Sequence, residues 1–156
     1  MRRTTATAAA VLTVLLAAGC SDTEADGKPA PSKSSASDGA GRLSTTWGPK
    51  LAAVTDGKDA VCNEVGDQAC AEHLTDIALA VGDLERDVNE AGGNTVYPRT
   101  VAELERVNDA VDAYTEHECL GDENAGIAGS PCPDDAQTIL TGGKTLPLAL
   151  QADEGA

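Results

Sequence analysis

Residues 70–88 constrain the fold most tightly. Cys70, Leu74, Ile77, Val81, Leu84 and Val88 fall at alternating intervals of four and three residues, which puts all six on one stripe of an α-helix but on both faces of a strand. The spacing predicts a helix over about 68–91, with Asp67 as its N-cap and Gly92-Gly93-Asn94 as its stop. One helix cannot bury such a stripe alone, so the chain must supply others.

It supplies three more tracts. Pro98 to Thr100 opens the next, Thr100 and Glu103 have the spacing of a capping box, and Val101, Leu104, Val107, Val111 and Tyr114 carry the stripe to an end near Cys119. Trp47, Leu51, Val54, Val61 and Val65 share a seam if a helix runs through about 44–65, with Lys58 at the missing position and Asp56-Gly57 as a kink or break. Cys132, Ala136, Ile139, Gly143, Leu146 and Leu150 form the last seam, opened by Ser130-Pro131-Cys132-Pro133. Gly142-Gly143 and Pro147 lie inside it and leave open whether the tract is one ragged helix or two short ones. Composition agrees: there is no Phe, and Trp47, Tyr97 and Tyr114 are the only aromatics. Ala, Leu and Val suit a helical core, and the shortage of aromatics argues against a β-sandwich or a carbohydrate-stacking surface. The expected fold is all-α, a small antiparallel bundle of three to four helices over residues 43–156.

Short connections then place the cysteines. Cys62 lies late in the first tract and Cys70 opens the second, while Cys119 ends the third and Cys132 opens the fourth, so an antiparallel bundle brings all four to one pole. In an oxidising compartment they read as two disulfides. Cys62–Cys70 with Cys119–Cys132 is the favoured pairing. Cys70–Cys119 with Cys62–Cys132 stays open, because residues 70 and 119 also face each other in the register of the central hairpin.

The N-terminus carries an address. Met1-Arg2-Arg3 is a positive n-region, and Ala8 to Ala18 is an uncharged apolar run too short to span a bilayer and of the right length for a signal-peptide core. It ends in Leu16-Ala17-Ala18-Gly19-Cys20, which resembles the lipobox of bacterial lipoproteins, with Ala17 where Leu is commonest. The composition resembles the small exported lipoproteins of actinobacteria. The resemblance implies a signal peptide over residues 1–19, cleavage before Cys20, and lipidation of that cysteine with at least two acyl chains, enough for stable anchoring. Ser21 to Arg42 has no large apolar residue, so residues 20–42 read as a disordered linker with a root-mean-square reach of roughly 25 Å. Because the first helix starts from that linker, the cysteine pole is expected at the end of the bundle farthest from the membrane.

Chemistry is sparse by comparison. Cys70, His73, His117 and Cys119 could form a tetrahedral zinc site if the cysteines were reduced, with Glu72, Glu116 and Glu118 around it. Oxidation would remove both thiolates, so no metal is expected, and His73 and His117 are the only candidates kept. Gly142-Gly143-Lys144-Thr145 lacks the earlier glycine of a phosphate-binding loop, whose place is taken by Thr138. Asp122-Glu123-Asn124 lacks the Gly and the Glu that a calcium loop needs, at Ile127 and Pro133. No nucleophile elbow or H-E-x-x-H occurs, and carboxylates such as Glu85, Asp87, Asp109 and Asp112 fall off the seams.

Charge completes the reading. Residues 43–156 hold 22 acidic and 6 basic side chains, a net charge of about −16, which excludes a nucleic-acid partner. The expectation is a non-catalytic interaction module, not an enzyme, without cofactor. It would sit on the extracytoplasmic face of the cell membrane through the lipid on Cys20, with an envelope or secreted protein as partner. The alternative is an envelope metal-handling protein using the His/Cys/Glu pole.

Overall fold

A computed structural model describes residues 41–156. The expected signal peptide, Cys20 and nearly all of the linker lie outside the described residues. Four helices follow one another: α1 (Leu43–Thr55), α2 (Gln68–Glu90), α3 (Pro98–Glu116) and α4 (Cys132–Glu154). They run up and down as an antiparallel bundle, and no strand occurs among the described residues.

The α2 seam forms as its spacing predicts, with Cys70, Leu74, Ile77, Val81, Leu84 and Val88 all buried. Asp67 stands at the N-cap position, and Gly92, in the left-handed region at φ 117°, ends the helix as only glycine does without strain. Leu51, Leu104, Val107, Ile139, Leu146 and Leu150 join that seam in one core. Each such side chain contributes roughly 1.5–3 kcal/mol by leaving water.

Two expectations are corrected, and the open alternative in the last tract is decided. The first helix does not run to residue 65: it breaks at Asp56-Gly57, the pair singled out for a kink or break, so that α1 stops at Thr55 and Asp59–Asn63 make a separate 3-10 turn, with Gly57 at φ 72° between them. Val61 is thereby turned out to solvent, while Val65 still reaches the core.

The last tract does not divide. α4 is continuous through Gly142, Gly143 and Pro147 because tertiary packing overrides their low helix propensity. Both glycines are buried where other helices press closest. A Cβ on Gly142 would overlap Cγ2 of Val107 in α3, and one on Gly143 would stand 2.8 Å from Thr55 Cγ2 and 3.0 Å from Ile77 Cγ2.

The Thr100/Glu103 capping box is also absent. Thr100 is buried within α3, and its N–H and hydroxyl donate to Asp153 Oδ2 at 2.9 and 2.8 Å. Glu103 instead accepts from Arg106 Nε at 3.0 Å and from the Thr145 hydroxyl, and the Arg106 hydrogen bond, more than Thr145, holds its carboxyl below the usual range.

The last turn of α4 thus performs the capping that sequence neighbours would ordinarily perform. Asp153 takes the free N–H groups of α3, and Glu154 accepts from the Ser44 N–H at 3.0 Å and from its hydroxyl at the start of α1. Two carboxylates at the C-terminus of their own helix oppose its dipole, yet each sits at the N-terminus of a neighbour, where negative charge is favoured.

Candidate functional site

The opposite pole is set by the disulfides. Cys62, at the end of the 3-10 turn, is bonded to Cys70 in the first turn of α2, with Cα atoms 4.6 Å apart. Cys119, three residues past α3, is bonded to Cys132 at the start of α4, with Cα atoms 5.6 Å apart. The favoured pairing is therefore the one present, and the bridge across the central hairpin is not.

Two further bonds tie the bridged loops together. The Tyr114 hydroxyl donates to the Val65 carbonyl at 2.6 Å, and the Gly121 N–H to the Gly66 carbonyl at 2.9 Å. A Cβ on Gly66 would lie 2.5 Å from the Asp122 carbonyl oxygen, so a larger residue there would push the loops apart. Burial raises the pKa of Tyr114, which keeps its hydroxyl a donor through the neutral range.

Beside this pole, α2 and α3 leave an apolar cleft of about 410 Å³, inside the size range of small-molecule and side-chain pockets. Buried Leu74 and Ile139 form its floor. Leu79 and Leu120 line it while 66% and 53% exposed, high values for leucine. Leu79 belongs to none of the seams, and that out-of-phase position was the available sequence signal. Glu118 also lines the cleft and is the one non-glycine residue at positive φ, 53°, among the described residues. It occupies the left-handed position after α3 that glycine usually takes, a conformation that costs roughly 1 kcal/mol.

The histidines are not brought together. His73 is buried, 4% exposed, with neither ring nitrogen hydrogen-bonded among the described residues. Burial first, then the positive field of Lys58, lowers its pKa, against weaker opposing effects of Asp76 and Asp59. His117 is exposed and pairs through Nδ1 with Asp135 Oδ2 at 2.7 Å. Cys70 and Cys119, the other two expected zinc ligands, are held in disulfides to Cys62 and Cys132. Among the described residues no three His, Cys, Asp or Glu side chains converge on a metal position.

The carboxylates singled out in the sequence have structural or surface places. Asp87 accepts from Trp47 Nε1 at 2.9 Å and ties α2 to α1. Glu85 accepts from Asn108 Nδ2 at 3.0 Å and ties α2 to α3, while Asp109 and Asp112 face solvent. These roles orient helices and leave no carboxylate pair enclosed in the apolar cleft.

Comparison of the chain with protein-family models, with curated proteins and with solved structures finds no match in any of the three.

Proposed function

We propose that the chain is a lipid-anchored, extracytoplasmic, non-catalytic binding module that presents the disulfide pole and its flanking cleft to a protein partner. One observation carries the reading: two leucines, Leu79 and Leu120, stand largely in solvent at the rim of an apolar cleft on an otherwise acidic surface. Large apolar side chains left together in this way mark interaction sites. Two disulfides beside the cleft favour an oxidising compartment and hold the loops around it in one arrangement.

Anchoring rests on Leu16-Ala17-Ala18-Gly19-Cys20. Among the described residues no helix is long and apolar enough to cross a membrane. A lipid on Cys20, with residues 20–42 as tether, would supply the attachment. The metal-handling alternative would require both disulfides to be reduced before Cys70 and Cys119 could ligate.

Two measurements test this reading. The intact mass of the membrane fraction should show loss of residues 1–19 and added lipid, and Cys20→Ala should release the protein; membrane retention of the variant would refute anchoring. Photo-crosslinking in intact cells from position 79 or 120 should capture a discrete protein. A surface module without a partner would give none.

A further inference from the structure

The distribution of charge around the cleft identifies its partner further. Residues 59–85 and 107–143 make up the disulfide pole together with the adjoining parts of α2, α3 and α4. They contain fifteen Asp and Glu residues and not one Lys or Arg. The basic residues that bound these stretches include Arg86, paired with Asp83 at 2.8 Å, Arg106, paired with Glu103 at 2.6 Å, and Lys144, paired with Asp59 at 2.5 Å. The fourth bounding residue, Lys58, has no ion pair among the described residues, but its field falls on His73, and neither residue lines the cleft. A carboxylate, Glu118, lines the cleft itself.

We infer that the α2–α3 cleft takes a basic amphipathic helix of a partner protein, with apolar side chains seated between Leu79 and Leu120 and Lys or Arg residues over the surrounding carboxylates. This inference rests on the binding-module reading and adds the chemistry of the partner. Each part of the site selects against a rival. An acidic or neutral-polar segment would place like charge, or nothing, against the carboxylates and gain no steering. A basic segment without apolar anchors would meet the acidic surface but leave the cleft in water. A helix is the economical occupant, because residues three and four apart deliver two or three anchors to one short cleft while the remaining positions carry the charge. The cleft is too small for an extended interface, so this contact acts as the central anchor of a larger one or as a weak, salt-sensitive attachment of its own.

The full chain, exported with Cys20→Ala and its disulfides intact, provides the test. The probe is a synthetic helical peptide with Leu at heptad a and d positions and Lys elsewhere. Two controls replace all Leu by Ser or all Lys by Glu. Titration followed by amide chemical shifts should move Ala71, Leu79, Thr115 and Leu120 with the Leu/Lys peptide and leave them still with either control. Leu79→Ser with Leu120→Ser should weaken that binding at least tenfold, as should an increase in salt, while far-UV circular dichroism of the variant stays unchanged because both side chains are exposed.

Equal binding of the Ser/Lys peptide, equal binding of the Leu/Glu peptide, shifts centred elsewhere, or no binding would each overturn the inference. Its failure is separable from that of the broader reading. A discrete crosslink from position 79 with no peptide binding removes only the basic-helix assignment, whereas no crosslink at all removes the module.

Discussion

Replacing Gly142 by Ala tests whether α4 is seated by glycine contact. In the middle of an exposed helix the exchange stabilises by about 1 kcal/mol, since glycine loses more backbone freedom on folding. Gly82 in α2 is such a site: it is exposed, and a Cβ there meets nothing within 4 Å. Gly142 is the opposite. Its Cβ would overlap Cγ2 of Val107, which is 0% exposed and, being β-branched, has little freedom to rotate.

Relief would require α3 and α4 to separate or Val107 to leave its rotamer, and overpacking of that kind costs about 1–3 kcal/mol. Because the overlap is with a stiff, fully buried side chain, the upper part of that range, about 2–3 kcal/mol, applies. After a gain of about 1 kcal/mol in helix propensity, Gly142→Ala should be destabilising by about 1–2 kcal/mol. For a domain of this size 1 kcal/mol corresponds to about 4 °C in melting temperature. Calorimetry of the disulfide-intact chain should therefore find Gly142→Ala about 4–8 °C below wild type and Gly82→Ala about 4 °C above it. In a double-mutant cycle, Val107→Ala should cost less in the Gly142→Ala background, because the new methyl group fills part of the space vacated. A Gly142→Ala variant that melts at or above wild type, or a cycle without coupling, would refute the close-contact argument.

Three further outcomes are expected. His73 is buried neutral and its pKa is lowered, so as pH falls through about 6.5 the unfolded chain takes up a proton before the folded one does. Its contribution to stability is complete above that value and declines below it, until the lowered folded pKa is passed. His73→Leu should flatten this part of the urea-unfolding profile between neutral and mildly acid pH, and an unchanged slope would count against the burial argument. Asp153→Ala removes the acceptor for Thr100 and leaves the N-terminus of α3 uncapped, which should cost about 2 kcal/mol in urea unfolding; a change below the error of the fit would show the contact to be incidental. Replacing Cys119 and Cys132 by Ser opens a bridge between residues 13 apart in sequence. On loop entropy it should cost about 3 kcal/mol, with α2 amides still protected from exchange if the rest of the core holds.

The pattern of success and error in the sequence reading has a physical basis. The α2 seam was legible because six core residues recur at helical spacing with no breaker among them. The continuity of α4 stayed open because glycine and proline could be weighed only by local propensity, whereas Gly142 and Gly143 serve contacts with Val107, Thr55 and Ile77 on three other helices. Thr100 was misread for a related reason. Its partner is Asp153, 53 residues away, and no local spacing rule reaches that far.

At the candidate site, the cysteine pole followed from short connections in an antiparallel bundle, while the pairing was only favoured, because the hairpin register also set residues 70 and 119 face to face. The cleft did not follow, because it is built from residues beside the seams. Leu79, out of phase with its own helix, and the run of carboxylates without Lys or Arg were visible, but only the packed helices show that Leu79, Leu120 and Glu118 line one cleft. His73 entered the sequence reading only as a metal candidate, and nothing in its local pattern told that α2 turns it into the core.

The carboxylates of the last α4 turn also bear on the order of events during synthesis. Ser44 and Glu154 are 110 residues apart, and Thr100 and Asp153 are 53 apart. On a chain made from its N-terminus, α1 and α3 exist long before the groups that satisfy their first N–H donors, and they stay frayed until α4 is finished. The two short disulfide loops can close early, but closure of the bundle awaits the last helix. Such a chain completes its fold only once α4 has been made.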